Sequence, residues 1–143
     1  MATFTLFDDF KEQLAKGVHQ FGNHAFKWAL TNTAPVGATN TVLADITQIA
    51  NGGGYTGGAG GGYAAEGVAV SQSGATITVT CADEVITAAG GAIATFRYLV
   101  LYNDSASAPV DALVGYLDYG GAVNLADTET LTIDVGASGL FQL

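Results

Sequence analysis

Few residues in this chain have the types and spacing that chemistry requires. Gly52-x-Gly54-x-x-Gly57 matches by letter the dinucleotide fingerprint, in which glycines turn a strand tightly into a helix whose N-terminus receives a pyrophosphate. No helical pattern follows it. More glycines do, and a run this rich in glycine meets such a pattern by chance. His19 and His24 are the only histidines. Their spacing, across a helix stop, does not place two imidazoles on one helical face as paired zinc ligands need, and both read as surface or helix-end residues. Cys81 is the only cysteine, so no internal disulfide can form. It lies on the apolar side of a threonine-rich strand and reads as a small buried hydrophobe.

The acids Asp45, Glu66, Asp83, Glu84, Asp104, Asp111, Asp118, Asp127, Glu129 and Asp134 are scattered. Paired-carboxylate catalysis needs two that face each other, and nothing in the spacing pairs any of them. A calcium loop at Asp83-Glu84 or at Asp104 would lack the EF-hand pattern. These acids read as solvated loop residues. The expectation is a chain with no catalytic residue, no cofactor and no metal. The tyrosines carry more information. Tyr55 and Tyr63 flank a glycine-rich loop that offers little cover in a monomer, and Tyr116 and Tyr119 bracket Leu117-Asp118. Tyrosine brings contact area together with a polar tip, so these four are the candidate protein–protein contacts.

The elements that must position these residues are mostly strands. Residues 8–21 read as one amphipathic helix, with Phe10, Leu14, Val18 and Phe21 on one face. Thr5 and Asp8 have capping-box-like spacing, and Gly22-Asn23 is the expected stop. Residues 25–31 alternate, with Phe26, Trp28 and Leu30 opposed to Lys27, Ala29 and Thr31, the pattern of a half-buried strand. Residues 41–49 are irregular or strand. Residues 51–62 form a glycine-rich break, read as a loop or as an arm that orders only against a neighbour, because such a run is entropically costly to fix. On that reading, shortening 57–62 leaves the isolated fold nearly unchanged.

Residues 63–72 and 75–81 read as two strands joined by a short hairpin at Ser73-Gly74. Residues 94–103 are nearly continuous in apolar and aromatic types and predict a central strand covered on both faces. Asn103-Asp104-Ser105 is a turn. Residues 112–119 and 130–135 are further strands, and 140–143 a last short one. The expected fold is a single domain over 1–143. It is mainly β, an antiparallel sandwich or barrel over 25–143 carrying one N-terminal helix.

Composition narrows the function. Charged residues are only 12% of the 143, about half the usual share. So few charges cannot coat the surface of a free monomer, which points to assembly. Thirteen acids face four bases, for a net charge of −9, and three of the bases (Lys11, Lys16 and Lys27) sit near the N-terminus. Nucleic-acid binding needs Lys and Arg to displace phosphate counterions, so direct binding to DNA, RNA or an anionic membrane is not expected. No apolar run reaches the ~18 residues of a membrane span. The early acids Asp8 and Asp9, with no basic stretch before them, are not those of a signal peptide. The chain is expected to be made in a cytoplasm.

Four segments carry a family resemblance. They are Phe-Lys-Trp-Ala-Leu-Thr-Asn-Thr-Ala-Pro (26–35), Ala-Asp-Ile-Thr-Gln-Ile-Ala-Asn-Gly-Gly-Gly-Tyr-Thr (44–56), Phe-Arg-Tyr-Leu-Val-Leu-Tyr-Asn-Asp (96–104) and Val-Gly-Tyr-Leu-Asp-Tyr-Gly (114–120). Together they resemble small virion structural proteins of tailed bacteriophages, most of all the capsid decoration (cement) proteins. The glycine tract at 57–62 departs from the family pattern. The resemblance implies a non-enzymatic protein on the outer face of a virion capsid, binding the major capsid protein and copies of itself, often as homotrimers. Other readings are a tail or head–tail connector component and a carbohydrate- or receptor-binding β-module, in which Trp28 and exposed tyrosines would stack on sugars.

Overall fold

The apolar run around Leu99 becomes the middle of the largest sheet. A computed structural model describes residues 3–143 and shows a mainly β chain with several antiparallel sheets and one α-helix. In chain order the elements are β1 (Thr3–Leu6), α1 (Asp8–Ala15), β2 (Phe26–Thr31), a single 3-10 turn (Leu43–Asp45), β3 (Tyr63–Ala64), β4 (Ala69–Ser73), β5 (Thr76–Thr80), β6 (Glu84–Thr87), β7 (Ile93–Asn103), β8 (Leu113–Leu125), β9 (Thr130–Ile133) and β10 (Phe141–Gln142). The large sheet has the order β1-β8-β7-β2-β3, a second has β10-β5-β4, and β6 pairs with β9 alone. The sheets are not closed.

Both faces of the large sheet are covered, which explains its unbroken apolar sequences. On one face Trp28, Leu30, Leu99, Leu101 and Leu117 pack with Phe10 and Phe21 and with Val79, Ile86 and Ile133 of the smaller sheets. On the other, Ala29, Val100, Tyr102 and Leu113 pack under Phe7, Leu43 and Ile46. The central-strand expectation for 94–103 agrees with β7, which lies between β8 and β2. The half-buried expectation for 25–31 is corrected. Ala29 and Thr31 are fully buried, because the segment around Leu43–Ile49 crosses that face and Ile49 N–H donates to Leu30 O (3.0 Å). That segment is irregular around its 3-10 turn.

The helix is shorter than its periodicity suggests. It ends at Ala15, and Gly17 takes a left-handed φ of 79°. Gly17 N–H then donates to Leu14 O and Val18 N–H to Gln13 O, both at 3.0 Å, the paired bonds of a glycine-terminated helix end. Phe21 still reaches the core beside Phe10, with ring centroids 6.0 Å apart, but from a reversed chain. Thr5 is not a cap, since it belongs to β1, where it pairs with Tyr116 of β8. Two strands, β1 and β6, fall outside the expected set. The strand expected at 63–72 divides into β3 and β4, and the one at 112–119 extends to Leu125 as β8.

The glycine-rich segment is folded against its own chain. Gly61 O accepts a hydrogen bond from Tyr102 Oη and Gly60 O one from Lys27 Nζ, while Gly62 N–H donates to Thr56 O (2.8 Å). At Gly62, φ is 88° and a Cβ would stand 2.2 Å from Trp28 O, so only glycine lets this backbone pass. The expectation that 57–62 can be shortened freely is therefore corrected. The tract supplies hydrogen-bond partners to buried and half-buried side chains.

Candidate interaction surface

The β4–β5 hairpin presents an uncharged edge to solvent. Residues 67–82 contain no Asp, Glu, Lys, Arg, His or Pro. Every residue of β4 is exposed, and β4 forms the outer edge of its sheet. Its pairing to β5 runs without a bulge from Ala69↔Thr80 to Ser73↔Thr76, around the turn Gly74-Ala75. The hydrogen bonds on the far side of β5 fix the phase of this edge. Ile77 N–H donates to Leu143 O (3.0 Å), Leu143 N–H to Ile77 O (2.8 Å) and Leu140 N–H to Val79 O (2.8 Å). Alternate residues of an antiparallel ladder point their backbone groups to opposite sides. Thr76, Thr78 and Thr80 therefore serve β4, through Ser73, Ser71 and Ala69. The backbone N–H and C=O groups of Val70 and Gln72 point away from the sheet, free for another strand. Proteins that avoid pairing at such an edge place charges, prolines or bulges there, and this edge has none of them. The side chain above it, Val70, is half exposed.

The four candidate tyrosines do not form one surface. Tyr55 is buried (2% exposed), contrary to the expectation that a monomer leaves it uncovered. Its hydroxyl accepts from Leu30 N–H (3.0 Å) and donates to Gln48 Oε1 (2.7 Å), so it closes the glycine loop onto β2. Tyr63 is half-buried beside it, with centroids 5.8 Å apart. Tyr116 packs against Phe7 on the opposite face of the large sheet, while Tyr63 borders the first core. Tyr119 alone is an exposed large side chain. Trp28 is fully buried, so it cannot stack on a sugar.

The histidines are not surface residues in the way expected. His19 is buried (4% exposed) and packs against Phe10 (5.1 Å between centroids). Asn103 Nδ2 lies 2.9 Å from His24 Nδ1, 3.3 Å from His19 Nδ1 and 3.1 Å from Val18 O. Asn103 Oδ1 accepts from Ser105 N–H (3.0 Å), which orients the amide so that its nitrogen faces the two rings. Burial, followed by the neighbouring His24, pulls the His19 pKa down to about 4. The group clamps the 18–24 turn to the end of β7.

The acids are not all solvated. Glu84 lies in β6, buried, and burial with the nearby Glu66 carboxylate pushes its pKa up to about 7. Asp45 accepts from Thr41 N–H (2.8 Å) and Val42 N–H (3.2 Å), which holds its carboxyl below the usual range. Cys81 is half-buried, and burial, then Glu84 and Asp83, push its thiol up to about 11. That is the opposite of what an activated nucleophile requires. A cleft of about 430 Å³ between Val42, Leu43, Ile46, Val110 and Asp111 is mainly apolar.

Among the described residues, no group of three His, Cys, Asp or Glu is placed to hold a metal, and no helix is long and apolar enough to cross a membrane. Three of the four cations are paired with carboxylates: Lys16 with Glu12, Lys27 with Asp104 (3.1 Å) and Arg97 with Asp118 (2.8 Å). The sequence signal that marks this edge is the charge-free run 67–82, which the strand patterns alone do not single out. No protein-family pattern, curated protein or solved structure matches the chain.

Proposed function

We propose that this chain is a structural virion protein that decorates and stabilises a bacteriophage capsid through contacts with the major capsid protein and with copies of itself, as trimers. The observation that supports this reading is the uncharged, unblunted outer edge of β4 on a chain otherwise strongly acidic. Such an edge is a liability on a protein that stays alone and an asset on one that is built into a larger assembly. The large sheet and the smaller sheets over one of its faces would be the two layers of an open sandwich. A rigid β-body of this kind suits broad contacts better than ligand chemistry. A cement protein stabilises a shell because it binds the assembled state in preference to the dissociated one.

The test is to add purified chain to assembled capsids that lack it and to follow the melting temperature of the shell. Saturable binding with a raised melting temperature is expected. Binding to isolated tails with none to capsids would overturn the decoration role and favour the tail or connector reading.

A further inference from the structure

We infer that the β4 edge is a self-pairing surface, where a second copy of this chain adds its own β4 antiparallel across a two-fold axis. The inference rests on the proposed assembly role and specifies one contact within it, a two-fold link between neighbouring trimers.

Three observations select this occupant. The first is the phase of the edge. Val70 and Gln72 carry the outward backbone groups, as the bonds on the far side of β5 require. In the register of full overlap, centred on Ser71, Val70 of one copy meets Gln72 of the other. Each such pair exchanges two N–H···O=C bonds, twice over by symmetry. All five residues of β4 are then used.

The second is charge. At −9, two copies repel, and least where they meet at a place that keeps their charges apart. The hairpin offers such a place, and its nearest acids, Glu66, Asp83 and Glu84, lie at its base. Antiparallel pairing sets each acidic base beside the partner's uncharged Gly74-Ala75 tip. Parallel pairing would instead bring the two acidic bases together. An edge without charge also gives a charged foreign segment nothing to recognise.

The third is side-chain size. Ala69, Ser71 and Ser73 on one face of β4 are small, so the backbones can approach without obstruction. On the other face Val70, half exposed alone, is covered by the partner strand. A five-residue edge buries less than the roughly 1,200 Å² of a stable interface, so the contact forms as a concentration-dependent step.

Sedimentation equilibrium over a wide concentration range, with no capsid present, tests the inference. The wild-type chain should show a concentration-dependent mass increase whose first step is a doubling of its smallest species. Ser71→Lys and Ser71→Glu each place like charges opposite one another across the axis and should abolish that step. An equimolar mixture of the two variants should restore it, because Lys then faces Glu. Ser71 is exposed, and circular dichroism of each variant checks that the fold is kept. No doubling in the wild type, doubling that persists in both variants, or a mixture that fails to recover would overturn the inference. Capsid binding without doubling would sink this contact alone, and doubling without capsid binding would sink the functional reading alone.

Discussion

Replacing Glu84 with Gln should stabilise the protein at high pH and leave it unchanged in acid. Glu84 lies in β6 opposite Ile133, buried near the Glu66 carboxylate, Tyr63 and Cys81. Its folded pKa of about 7 exceeds the ordinary 4.5. Between those values the folded chain holds a proton that the unfolded chain has released, so stability falls as pH rises through this window. The gap corresponds to about 3 kcal/mol. Solvent that still reaches the carboxyl reduces this to about 1–2 kcal/mol. Gln has nearly the same shape and no proton to lose. Urea denaturation of both proteins from pH 4 to pH 8 should give equal stabilities at pH 4. By pH 8 the variant should lead by about 1–2 kcal/mol, or roughly 3–6 °C in Tm. A difference that does not change with pH, or a variant less stable at pH 8, would refute the burial argument.

The sign reverses at His19. Its folded pKa of about 4 lies below the ordinary 6.5, so the unfolded chain takes up the proton first and stability falls as pH drops from 6.5 toward 4. Proton NMR of the folded protein should show the His19 ring untitrated at pH 5, and a ring titrating near pH 6.5 would contradict its buried contact with Asn103. Tyr55→Phe removes the acceptor of the buried Leu30 N–H and should cost about 1–3 kcal/mol in urea denaturation, without altering self-association. Gly62→Ala forces a Cβ toward Trp28 O at a φ that L-residues avoid and should destabilise by about 2 kcal/mol or more. A Tm equal to wild type would mean the glycine tract is not held against β2.

The sequence was most readable where one physical requirement dominated. Leu99 to Tyr102 are apolar on both faces because sheets and loops cover both, and the strand was evident from that run alone. The start of α1 was placed by the acids Asp8 and Asp9. Its end was not, because Val18 and Phe21 continue the helical period past Gly17 while reaching the core by another path. β6 escaped notice because Asp83-Glu84 resembles a solvated turn, and the burial of Glu84 depends on partners distant in sequence. Tyr55 looked exposed for a similar reason, since the glycines around it fold back onto β2 only in the tertiary structure. The β4 edge was half legible. The uncharged run 67–82 is plain to read, but whether β4 sits at an edge or in the middle of a sheet depends on what pairs beside it.

Decoration of the shell is tested most directly by the copy number of this chain in intact virions, measured by quantitative mass spectrometry against the major capsid protein. A decoration protein should approach the copy number of the shell protein. A handful of copies per particle, as in a connector ring or tail tip, would contradict the account.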